Sequence, residues 1–161
     1  GLNLIEESII NIKKNNKKQI PIEHLICKIS FEKKSSGEII KDKTLGFFCD
    51  AYNEFPIKYS LFTNYHILNE ENVKLGKIIE IEYYDEIGYI TKKIEITKKR
   101  RIYFDEKLNY ICIEIFPSDN IKNYFSIESE IYQNNANIID KEVFMFQYLN
   151  NKISLKKGKI L

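Results

Sequence analysis

The sequence predicts an all-β, antiparallel protein with one short helix at its N-terminus. Three observations carry that prediction. Ile and Asn are abundant, at 30 and 16 of 161 residues, so β-branched apolar residues alternate with turn formers. From Ile22 onward the apolar runs are short and are broken at intervals that suit a meander or a barrel. The departure is Leu2 to Asn15, where Leu2, Ile5, Ile9 and Ile12 recur at three- and four-residue spacing, which predicts an amphipathic helix docking by that face.

In chain order, Lys13 to Lys18 is nearly all Lys and Asn and reads as a solvated connector, and Pro21 discourages a continuing helix. Strands are predicted near 22–32, 44–52, 58–64, 76–84, 88–104, 109–116, 142–149 and 152–161. Within 88–104, Ile94 and Ile96 fall on one face and Glu95 and Thr97 on the other, with a bend expected around Lys98 to Arg101. Lys33 to Lys43, which holds Ser35, Ser36 and Gly37, and Asn69 to Lys74 are polar connections of hairpin length.

Composition excludes several classes. A net charge of +2, from 25 Lys+Arg against 23 Asp+Glu, is too small for a histone-like electrostatic binder. The 21 Tyr and Phe residues exclude a disordered chain. No apolar run approaches the roughly 18 residues that span a bilayer, and Gly1 to Ile12 carries Glu6 and Glu7 where a signal peptide would be apolar, so a soluble chain with no membrane partner is expected. Cys27, Cys49 and Cys112 are odd in number with no close pair, which points to a reducing, intracellular compartment. His24 and His66 are the only histidines and no CxxC or HxxxH spacing occurs, so neither a metal nor a cofactor is expected.

The stretch TLGFFCDAYNEFPIKYSLFTNYHILN, residues 44–69, is the most informative. A strand containing Gly46-Phe47-Phe48-Cys49 is followed by a turn and by a second strand that runs straight into Thr63-Asn64-Tyr65-His66. This places an imidazole at a strand end, on a short helical turn at a cleft edge, and imidazole is the side chain that takes and returns a proton at neutral pH as a general base.

Here the chain resembles the trypsin-like serine peptidases of the chymotrypsin double-barrel fold, in particular their intracellular forms. LFTNYHIL at 61–68 matches that family's Leu-Thr-Asn-x-His-Val-Leu signature nearly position by position. The family's orienting Asp opens an apolar strand; here NYICIEI places Asn109 at that position. Val143 to Tyr148 and Ile153 to Ile160, with Gly158, resemble the opening strands of the second barrel.

Residues 1–21 read as an N-terminal helix and linker; the resemblance covers roughly 22–161 and implies a six-stranded first barrel at 22–117, an inter-barrel linker at 118–140 and the first strands of an incomplete second barrel at 141–161. It implies a catalytic role for His66, with Asn109 in the orienting position and the nucleophile outside these residues, since no Gly-x-Ser-Gly occurs. Ser35-Ser36-Gly37 precedes the histidine in a polar turn and is no candidate. Cys49 fits one half of a disulfide found in secreted relatives, but Ile67 occupies the other half.

Asn in place of Asp costs about 10⁴ in turnover in the general Ser-His-Asp template, because an amide that presents its NH₂ to the ring selects the wrong tautomer. Three explanations stay open: an inactivated variant, a natural pseudoenzyme, or a Cys nucleophile that tolerates Asn. Asp105 is a lesser candidate for the orienting role.

Weaker signals have blander readings beside them. Lys98-Lys99-Arg100-Arg101 reads as a solvated turn rather than a phosphate contact, and nucleic acid is not an expected partner. His24 and Cys27 fall on opposite faces of a strand. Tyr83, Tyr84, Tyr103 and Phe104 read as cross-strand pairs rather than a base-stacking platform.

The expected activity is therefore peptide-bond hydrolysis on a polypeptide substrate, by a chain that is silent until completed. The alternative is a catalytically inactive pseudopeptidase serving as an interaction module for a protein partner. The edge of the 143–161 hairpin is expected to be covered by the remaining second-barrel segment or by a second copy of the chain.

Overall fold

The computed structural model describes residues 2–3, 11–14, 18–51, 56–126, 142–149 and 152–159. Thirteen strands are described: β1 (Leu2–Asn3), β2 (Asn11–Lys14), β3 (Lys18–Pro21), β4 (Ile26–Ser35), β5 (Glu38–Asp50), β6 (Tyr59–Thr63), β7 (Ile78–Tyr84), β8 (Tyr89–Glu95), β9 (Ile102–Asp105), β10 (Tyr110–Glu114), β11 (Phe125–Ser126), β12 (Glu142–Leu149) and β13 (Lys152–Lys159). Short 3-10 turns lie at Ile22–His24, Glu70–Val73 and Pro117–Asp119.

The all-β reading therefore holds, and the N-terminal helix does not. Leu2–Asn3 and Asn11–Lys14 are strands, and β2 pairs with β3 through Ile12↔Ile20 and Lys13↔Gln19. Residues 4–10 lie outside the described ones. The helical spacing was misleading because β-branched Ile favours extended backbone, and β3 lies alongside as an antiparallel partner for β2.

The main sheet follows the order β8-β7-β4-β5-β6-β10-β9, antiparallel throughout, and β11 pairs β5 in parallel. Its interior obeys the period-two rule. Cys27, Ile29 and Phe31 of β4, Ile79, Ile81 and Tyr83 of β7, and Ile111 and Ile113 of β10 share one core with Phe48 and Leu61. Ile94 and Ile96 are buried in it while Glu95 is exposed, as the alternation predicts. Gly46 is needed for packing, because a Cβ there would lie 2.7 Å from Ile29 Cδ1 and 3.0 Å from both Leu61 Cδ1 and the Phe62 carbonyl.

One connection is shorter than its polar stretch suggests. The polar stretch 33–43 is mostly strand, since β4 and β5 continue to a two-residue turn at Ser36-Gly37, both with positive φ of 52° and 83°, as a tight primed hairpin turn requires. The predicted strand 88–104 is divided into β8 and β9 at the expected bend.

That bend is built on Arg100. Its side chain is buried and donates to both carboxylate oxygens of Asp119 at 2.7 and 3.1 Å, and to the carbonyls of Glu95 and Glu114 at 2.9 and 2.8 Å. Arg101 pairs with Glu114 at 2.5 Å. The basic run is thus half structural: the solvated-turn reading fails for Arg100, whose guanidinium fork ties the bend to the end of β10. No ladder joins β8 to β9, so by strand pairing the sheet is open.

A separate three-stranded sheet has the order β1-β13-β12. β12 and β13 form the predicted hairpin, paired from Glu142↔Lys159 to Leu149↔Lys152. Part of the outer edge of β13 is taken by the N-terminal strand, through Leu2↔Leu155 and Asn3↔Ser154. Among the described residues no helix is long and apolar enough to cross a membrane.

Candidate functional site

β6 ends at Thr63, whose hydroxyl donates to the Leu45 carbonyl at 2.8 Å and fixes the strand end against β5. The chain then makes one helical turn. Asn64 nucleates it: its Oδ1 accepts the Ile67 N–H at 3.2 Å and its carbonyl accepts the Leu68 N–H at 3.2 Å. This is what an Asn at a helix start does. Leu68 is fully buried and anchors the end of the turn in the core, leaving His66 exposed on its outer side.

Asn109 arrives from β10, the strand next to β6, with Ile111 opposite Thr63. It closes the turn 106–109 between β9 and β10 in the left-handed region, at φ +53°, a conformation that Asn tolerates better than most residues. Its Oδ1 accepts the backbone N–H of His66 at 2.9 Å. The two residues singled out in the sequence are therefore in direct contact, through main chain rather than through the ring.

This contact settles the orientation of the amide. A backbone N–H only donates, so the atom facing it is the oxygen, which leaves Asn109 one further acceptor site and the two donors of Nδ2. Among the described residues the imidazole nitrogens make no hydrogen bond, so the ring is open to a proton donor or acceptor from outside.

Tyr65 flanks the histidine. Its ring stacks on Phe104 of β9, with centroids 5.4 Å apart at 23°, and its hydroxyl donates to Glu70 Oε2 at 3.0 Å. Desolvation, the Glu70 hydrogen bond and the neighbouring carboxylates push the phenol above its ordinary value. The sequence placed Tyr65 at a variable position of the motif and gave no signal of this role.

The other candidates fall elsewhere. Asp105 Oδ1 accepts the Leu108 N–H at 2.9 Å and shapes the β9–β10 turn, which accounts for it without an orienting role. Ser36 and Gly37 form the β4–β5 turn. His24 sits half-buried in a 3-10 turn and Cys27 in the core. Of the four aromatics, Tyr83 is buried edge-on to Phe48, whereas Tyr84, Tyr103 and Phe104 are exposed, with Tyr84 edge-on to Tyr89 across the β7–β8 pair and Phe104 stacked on Tyr65. The three cysteines are buried and free; burial pushes the Cys49 thiol up to about 12, that of Cys112 up to about 11, and that of Cys27 higher still. None has the lowered pKa of a nucleophile. Among the described residues no group of three or more His, Cys, Asp or Glu side chains is placed to hold a metal ion.

The chain matches no family model and no curated protein sequence.

Proposed function

We propose that the chain is the histidine-bearing portion of a trypsin-like endopeptidase, with His66 as general acid/base and Asn109 in the orienting position. One observation carries the reading: the main chain of His66, in the turn after β6, and the side chain of Asn109, just before β10, meet at 2.9 Å on one rim of the sheet. The strand order supports the fold part of the proposal. It starts on β8 and finishes on β9, which are consecutive segments separated only by the Arg100 bend. Taken as one bent strand, they close a six-stranded barrel of the chymotrypsin type. Pairing continues toward the bend from both sides, with Ile96 exchanging backbone hydrogen bonds with Gly76 and Lys77, and Glu114 N–H reaching the Arg101 carbonyl.

In this reading the nucleophile is supplied by a further segment or by another chain that completes the β12–β13 sheet, and the substrate is a polypeptide. The bond broken is the peptide C–N bond. The nucleophile loses its proton to His66 as it attacks the carbonyl, and His66 returns that proton to the leaving amine. Three buried free thiols accord with a reducing, intracellular setting.

A second reading, a pseudopeptidase that binds a protein partner without cleaving it, is favoured by the amide itself. With Oδ1 already bonded to the His66 N–H, an Asn109 whose Nδ2 meets the ring acts there as a donor. That would hold the imidazole proton on Nε2, where a base needs its lone pair. Fusing the chain to the sequence that follows it and assaying peptide cleavage, with Asn109 and with Asn109→Asp, separates the two. Cleavage that rises with the carboxylate supports the peptidase; a folded protein that stays silent in both forms supports the module.

A further inference from the structure

We propose that Tyr65 is a positioning residue, clamped at both ends so that it holds the exposed turn presenting His66. The inference rests on the reading of His66 as the working imidazole.

The turn 64–68 projects from the sheet, and its internal bonds, from Asn64 to Ile67 and Leu68, close its backbone without restraining the histidine ring. Among the described residues two contacts reach it from other elements near residue 66. Asn109 holds the main chain from the β9–β10 turn. Tyr65 supplies the other, since its ring lies on Phe104 of β9 while its hydroxyl is tethered to Glu70 at the start of the next 3-10 turn. A ring stacked on one face and hydrogen-bonded at its tip has both side-chain torsions set. Its edge then stands against the imidazole, with ring centroids 6.5 Å apart at 69°. Fixing Tyr65 therefore fixes the backbone entering His66 and bounds one side of the space its ring can sweep. A positioned acid/base group gains from such restraint because proton transfer requires a narrow geometry.

The chain contains a second histidine, His24, in the turn before β4, which serves as an internal reference. NMR of the wild type, Tyr65→Phe and Tyr65→Ala reads the Hα–Hβ couplings of both histidines and the exchange of the His66 N–H. The wild type should show one His66 rotamer. Tyr65→Ala should average the His66 couplings and speed exchange of its N–H about tenfold, leaving His24 unchanged. Tyr65→Phe keeps the stack on Phe104 and should restore the single rotamer. Should Tyr65→Ala not fold, the Phe104→Ala/Glu70→Gln double variant, which removes both clamps and keeps the tyrosine, should give the same averaging.

Wild-type couplings and exchange at His66 in the unclamped variants would overturn the proposal, as would equal changes at His24 and His66. The outcome is separable from the peptidase reading. A completed Asn109→Asp protein that fails to cleave, with His66 still released by Tyr65→Ala, removes the activity and keeps the positioning role.

Discussion

Asn109 accepts the backbone N–H of His66 at 2.9 Å while holding a left-handed backbone at φ +53°. One residue thus does two separable jobs, closing the β9–β10 turn and tethering the turn that carries the imidazole. Asn109→Gly removes only the acceptor and should cost about 0.5–1.5 kcal/mol. Asn109→Ala removes the acceptor too but keeps a Cβ in the left-handed region without the polar side chain that eases it, and should cost about 1–2 kcal/mol more than Asn109→Gly. Urea denaturation of the two variants measures the difference; equal losses would mean that the backbone at 109 relaxes freely.

Arg100 should be the most sensitive charged residue in the chain. Arg100→Ala leaves the Asp119 carboxylate, which is about nine-tenths buried, with the Phe116 N–H and only the nearby Lys92 ammonium to offset its charge, and should destabilise by about 3–5 kcal/mol. Arg100→Lys should recover little, because a point charge replaces neither the bidentate pair nor the two carbonyl contacts. Equilibrium unfolding checks both, and a loss below about 1 kcal/mol would show the pair to be solvated.

Gly46 is required by packing and not by backbone conformation. Gly46→Ala should cost about 1–3 kcal/mol by overpacking against Ile29, Leu61 and the Phe62 carbonyl. Combining it with Ile29→Val, which removes the atom 2.7 Å away, should cost less than the sum of the single changes. Additive losses would place the strain at the carbonyl instead.

The thiols predict a one-sided pH dependence. Burial disfavours the thiolate, so between the ordinary 9.0 and about 11–12 the unfolded chain releases protons that folded Cys112 and Cys49 retain. Their contribution to stability is fully present below pH 9 and is lost as pH rises through 11–12. Stability measured across pH 8–11 should fall in the upper half of that range, and more shallowly in Cys49→Ala/Cys112→Ala than in the wild type. At pH 8 a thiol-specific reagent should modify none of the three cysteines in the native state and all three in urea; fast native labelling would contradict their burial.

Most strands were legible because strand periodicity is a local property. Alternation at 78–84 and 94–96 fixes which side chains face the core whatever the neighbouring strands are, and the apolar run 110–113 marks a strand buried on both faces. Boundaries were less so, since the β4–β5 hairpin runs through a polar stretch that composition marks as loop. The N-terminal segment was misread because a three- and four-residue spacing of Ile satisfies a helix and is overridden once a partner strand lies within hydrogen-bonding reach. Of the site, His66 and Asn109 were named from the motif. Tyr65 and Arg100 were not, because what distinguishes them is a partner about 40 or 19 residues away.

By itself, then, the sequence determined the β class, the turns and the two positions at the rim, all of which depend on side-chain types at short spacing. Tertiary structure alone decided that Asn109 reaches His66 through the main chain, that Arg100 is buried at the bend and that the N-terminus pairs with β13. Each depends on which distant groups satisfy a buried charge or an unpaired backbone group, and desolvation cost, rather than local preference, makes that choice.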